Sequence, residues 1–96
     1  MDEPLQAKDF EPHVGKLAAF DGTEHTLRLE QVETGRPLPA PFRQPFSLIF
    51  RGPKPGPVLP EGLYTCRIEG GPEHELHIAP IHTPAPDRQD YQVVFG

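Results

Sequence analysis

The chain has 96 residues, a formal net charge of −5, 14 prolines, 9 glycines and one cysteine. One domain spanning residues 1–96 is expected at this length, and nine Lys and Arg spread singly lack the basic patch that phosphate backbones or anionic membrane surfaces require. A lone Cys66 excludes an intramolecular disulfide and a cysteine-based zinc site.

The apolar fraction is only 35%, but the apolar residues gather in short alternating runs, which a disordered chain lacks. The N-terminal "MDEPLQAKDF" is acidic and has no apolar stretch of the signal-peptide kind, and no apolar run approaches the roughly 20 residues of a membrane helix. A cytoplasmic location is the resulting expectation.

Residues 4–10, "PLQAKDF", can make a turn or two of helix. "VGKLAAF" (14–20) reads as a strand running into Asp21-Gly22, a strong hairpin dipeptide, and "HTLRLEQV" (25–32) returns with Leu27 and Leu29 on one face. A strict two-residue turn sets Leu17 across from Thr26. The apolar pattern favours one more loop residue, with Leu17 opposite Leu27. Residues 33–45 carry four prolines and read as a surface loop.

"FSLIF" (46–50) points Phe46, Leu48 and Phe50 to the core and Ile49 to the other side, which predicts cover on both faces. A second proline connection spans 51–62. "LYTCRIE" (63–69) turns Tyr64, Cys66 and Ile68 inward and Thr65 and Arg67 outward. Gly70-Gly71-Pro72 reverses the chain into "HELHIAPI" (74–81), and an antiparallel hairpin pairing Ile68 with Leu76 also aligns Cys66 with Ile78. After a polar connection over 82–90, "YQVVF" (91–95) puts Tyr91, Val93 and Phe95 on one face and Val94 on the other. About six short strands, with long Pro/Gly loops and almost no helix, predict an all-β fold, either a small antiparallel barrel or a sandwich.

"EHELHIAPIH" (73–82) holds three of the five histidines and is the segment with most chemical potential. Strand alternation places His74, Leu76, Ile78, Pro80 and His82 on one face, and Glu75, His77, Ala79 and Ile81 on the other. His74 and His82 are eight residues apart, about 26 Å in extended chain, too far to share a zinc whose nitrogen bonds are about 2 Å. His77 and Glu75 alone supply too few ligands and only His13 and His25, from elsewhere in the chain, could join them, so neither a metal nor a cofactor is expected.

Cys66, inward between Tyr64 and Ile68, reads as an inert core thiol. Ser47 has no nucleophile elbow around it. "KPGPVLP" (54–60) fits a polyproline ligand pattern but reads first as a stiffened connection. The last strand carries apolar residues to the chain's end, and an edge strand offers unpaired backbone to another chain. Tyr91, Val93, Val94 and Phe95 are therefore the candidate interaction edge, for a protein partner or self-association.

Three landmarks read together: Phe10 with Val14-Gly15 and Phe20; Phe46-Ser-Leu-Ile-Phe-Arg-Gly-Pro53; and Leu59, Gly62 and Tyr64 with "HIAPI" and Tyr91 to Phe95. The arrangement resembles a family of short, uncharacterised bacterial β-rich proteins and covers nearly the whole chain. Leu76 stands where such relatives would carry an aromatic. The resemblance implies an accessory or structural protein beside phage-tail-collar-like genes, and supplies no catalytic residues. The lead expectation is a non-enzymatic accessory or protein-interaction module. The alternative is a small-ligand-binding barrel or minor enzyme using His77, Glu75 or His82. A filled interior with an exposed apolar strip favours the first, and an apolar pocket with converging histidines favours the second.

Overall fold

The computed structural model describes residues 5–35, 45–53, 57–71 and 73–95. Most of the first proline loop and Lys54 to Gly56 of "KPGPVLP" lie outside these residues. Six antiparallel strands, β1 (Leu17–Phe20), β2 (Thr26–Thr34), β3 (Phe46–Pro53), β4 (Gly62–Ile68), β5 (Glu73–Pro80) and β6 (Arg88–Phe95), close into a barrel in the order β1-β2-β3-β6-β5-β4. Pairing of Ala18 with Ile68 and of Phe20 with Cys66 joins β1 to β4 and completes the ring. A barrel this small has no lumen: its inward side chains fill it. Phe20, Leu27, Leu29, Leu48, Phe50, Leu76, Ile78 and Val93 are among those in the core cluster.

The alternation read from sequence places most faces correctly. Phe46, Leu48, Phe50, Cys66, Ile68, Leu76, Ile78, Tyr91 and Val93 are buried. Ile49 points outward yet is also shielded, between the paired Gln31 and Gln92. Both β3 and β6 run further than the alternation suggested, through Pro53 and from Arg88. Polar residues secure the start of β6: Gln89 Nε2 donates to the carbonyls of Ile81 at 2.8 Å and Asp90 at 3.0 Å, and the Asp90 N–H donates to Thr83 Oγ1 at 3.0 Å.

Two hairpin registers differ from expectation. Leu17 lies opposite Arg28 and Ala18 opposite Leu27, so Ala18 and Phe20 face the core while Leu17 is exposed. The loop is longer than the Asp-Gly dipeptide implies because its residues are bonded elsewhere. Thr23 Oγ1 donates to the Phe20 carbonyl at 2.8 Å and the Thr23 N–H donates to the same oxygen at 3.2 Å. Asp21 turns to β4, where its N–H donates to the Thr65 carbonyl at 2.9 Å and its carboxylate accepts from Arg67 at 2.9 and 3.0 Å. That guanidinium bond holds the Asp21 carboxyl below its ordinary range.

In the second hairpin Cys66 pairs with His74 and Tyr64 with Leu76, not Cys66 with Ile78. The turn is tighter than the apolar match required: the Gly71 N–H donates to the Ile68 carbonyl at 2.9 Å, with Gly70 at φ +73. The displacement is by an even number of residues, so every face survives it.

In β2 the register against β3 shifts between Leu29 and Gln31. This bulge sets Glu30 and Gln31 consecutively away from the core and returns Val32 to it, where it packs on the core cluster. Bulges bend a strand and re-aim its side chains in this way. Ahead of β1, the expected helical stretch is two single 3-10 turns, Ala7–Asp9 and Glu11–His13. Between them Phe10 is fully buried. Among the described residues no helix is long and apolar enough to cross a membrane.

Candidate functional site

The chemistry-bearing residues of 73–82 do not converge. His77 and Glu75 point outward from β5, and His77 Nε2 lies 3.5 Å from Glu61 Oε2 on an open surface. His82 is exposed in the connection after β5. His74 turns inward, opposite Cys66, under the ring of Phe10 at 5.1 Å. No group of three His, Cys, Asp or Glu among the described residues is placed to hold a metal ion.

Cys66 is buried, and burial pushes its thiol up to about 12. A thiol this far above neutral pH carries almost no thiolate, the reactive form. Maleimide or a disulfide reagent is therefore expected to leave native protein unlabelled and to modify one thiol per chain once the fold is denatured. Rapid native labelling would contradict the inward assignment of Cys66.

A second polar group was not apparent in the sequence. On the outer face, Arg51 Nε donates to Asp90 at 3.0 Å and its other nitrogen approaches Glu30 at 3.7 Å; Arg28 lies 3.8 Å from Glu30, and Arg88 3.6 Å from Asp90. Arg28, Glu30, Arg51 and Arg88 of this group line an open depression of about 400 Å³ that also includes Asp87. Its only sequence signal is a pair of i, i+2 charge patterns, Arg28 with Glu30 and Arg88 with Asp90; the bulge and the β3–β6 register join them through Arg51. The charges offset one another, and the pairs are partly exposed, with the arginine side chains 36–58% accessible and Glu30 and Asp90 25% and 15%. Each pair thus contributes about 0.2–1 kcal/mol, and the arrangement is a structural clasp across three strands. A larger depression of about 590 Å³ lies between His25 on the β1–β2 loop side and Pro53, Pro57 and Pro60. Nearby, the Leu59 N–H donates to the Tyr91 hydroxyl at 3.0 Å, which anchors this connection to β6.

The candidate interaction edge divides. Tyr91 and Val93 are buried and Phe95 is half-buried against the core, which leaves Val94, 66% exposed, as its outward member. β6 pairs with β3 along its whole length, from Phe46 with Phe95 to Pro53 with Arg88. Toward β5 the ladder holds only two pairs, Ala79 with Gln92 and Pro80 with Tyr91. The strands therefore form a seam where Leu76 to Ile78 and Val93 to Phe95 pass without ladder pairing. On its β4 side His77 pairs with Leu63, which is 62% exposed. Leu63 and His77, paired across β4 and β5, and Val94 on β6 all point outward.

Residues 5–95 match the family model of a domain of unknown function, DUF6916. Comparison with curated proteins and with solved structures finds no match. With nearly its entire length, and all six strands, inside that match, the chain belongs to the DUF6916 family.

Proposed function

We propose that the protein is a non-enzymatic β-barrel module that binds another protein through the outer face of β4, β5 and the end of β6. One observation carries the reading. The lapse of β5–β6 pairing coincides with outward, exposed side chains on the strands around it, Leu63 and His77 on β4 and β5 and Val94 on β6, on a barrel whose interior is packed with side chains. Unpaired strand edges recruit backbone from partners, and exposed apolar side chains beside them add buried area. A place for the module as an accessory subunit in a larger bacterial assembly of the tail-collar kind belongs to the same proposal and rests on the family resemblance.

A photo-reactive amino acid at position 94 or 63 is expected to cross-link in cells to a discrete protein, or to a second copy of this chain. The same probe at position 28, on the β2–β3 side, is expected to give none. Val94→Glu and Leu63→Glu should abolish the cross-link while shifting stability by no more than about 0.5 kcal/mol, as exposed substitutions do. Equal cross-linking at all three positions, or none at 94 and 63, would sink the reading.

A further inference from the structure

Phe10 closes the barrel end that the strands leave open. Its ring lies 6.0 Å from that of Phe46 on β3, 5.8 Å from Phe95 on β6 and 5.1 Å from the imidazole of His74 on β5. It therefore spans β5 and β6 beyond their last ladder pair. Local bonds shape its own segment: Asp9 N–H to the Gln6 carbonyl at 2.9 Å, Phe10 N–H to Ala7 at 3.0 Å and His13 N–H to Phe10 at 2.9 Å. The first ladder-like ties to β2 come at Gly15 and Lys16, which exchange bonds with Leu29 at 2.7 and 3.0 Å. Gly15 has φ +92 with open space around it, a natural pivot. Leu5 and Ala7 pack beside Phe10 against the core cluster, so side-chain burial rather than ladder pairing seats the segment on the barrel.

Beneath the ring, His74 Nε2 is buried and has no hydrogen-bond partner among the described residues. The plug segment brings Asp9 and His13 toward the imidazole, and β4 brings the neutral thiol of Cys66. β3 and β6 present the rings of Phe46 and Phe95 there, and the neighbouring Glu73 and Glu75 of β5 lie on the outer face. The Asp9 carboxylate, the one anion in this set, already accepts the Gln6 N–H at 2.7 Å.

We propose that residues 5–14 are a pH-released plug: protonation of His74 expels Phe10 from the barrel end and opens the β5–β6 seam beside it. The sign follows from the surroundings. Burial, the largest influence, lowers the His74 pKa; Asp9 opposes this and His13 adds to it. The closed state therefore binds the proton less readily than the open one, whose imidazole titrates near its ordinary value of about 6.5. Closure has its full stability above that pH and loses it as the pH falls below. The device deepens the proposed interaction role, on which only its consequence for partner access rests.

The test is ¹⁵N relaxation on the intact protein between pH 7.5 and 5. Residues 5–14 are expected to lose their ordered heteronuclear NOE on acidification while the amides of β1 to β6 keep theirs. The His74→Phe variant is expected to hold the segment ordered throughout. Should that variant not fold, the His74 ring titration in the wild-type protein decides, because its midpoint must coincide with the loss of order at 5–14. Order that survives at pH 5, the same loss in His74→Phe, or a ring titration displaced from the transition would each overturn the plug. A cross-link at position 94 measured at pH 7.5 is independent of all three outcomes, so the failure of one proposal leaves the other standing.

Discussion

Removal of residues 91–96 abolishes the cooperative thermal transition. β6 is an internal stave of the barrel, and the deletion takes away five of its pairs with β3, from Phe46 with Phe95 to Phe50 with Tyr91. It also removes Tyr91 and Val93 from the core and the ring of Phe95, which stacks on Phe46 at 4.4 Å. Burial of each such side chain contributes about 1.5–3 kcal/mol. The Tyr91 hydroxyl is lost as acceptor for the Leu59 N–H, so a buried donor is left unpaired at a cost of about 1–3 kcal/mol. Together these reach the whole margin of about 5–15 kcal/mol on which a small domain stands. The truncated chain would also expose the apolar "FSLIF" strand as a bare edge, a template for aggregation. Circular dichroism during heating reads the result. A sigmoidal melt retained by the truncated protein would show that five strands fold alone and that β6 is only docked on them.

Phe50→Ala lowers stability by about 3–5 kcal/mol, as the truncation of buried aromatics does. Phe50 is fully buried at the middle of β3, between Leu29 on β2 and Tyr91 on β6, and meets Phe20 edge-on with ring centroids 5.6 Å apart. Its neighbours are held in ladders on both sides, so the void cannot collapse. For a domain of this size the melting temperature should fall by roughly 15 °C or more. A fall of only a few degrees would mean that the barrel interior is more plastic than its closure implies.

The alternation of "FSLIF", "LYTCRIE" and "YQVVF" was enough to determine the faces of β3, β4 and β6, because a strand's two-residue period is written locally. The same period puts His74 and His77 on opposite faces, so strand alternation alone divides the apparent histidine cluster. Pairing is a different matter. Which residue faces which depends on turn bonds made at a distance: Asp21 reaching Arg67 on β4 lengthened the first loop and turned Leu17 outward, while a tight turn at Gly70 moved Cys66 from Ile78 to His74. The second change was invisible to the apolar pattern because an even slip preserves faces, whereas the first reversed them. The choice of barrel over sandwich rested on the β1–β4 pairs, which join residues nearly fifty positions apart. Phe10 gave no local sign of its place either, since nothing in "AKDFEPH" says that a gap between β5 and β6 will be waiting for its ring. The sequence by itself determined the faces of β3 to β6 and the buried thiol; only the tertiary structure decided the faces of β1, register, closure, the seam and its plug, because those depend on contacts between segments that carry no record of one another.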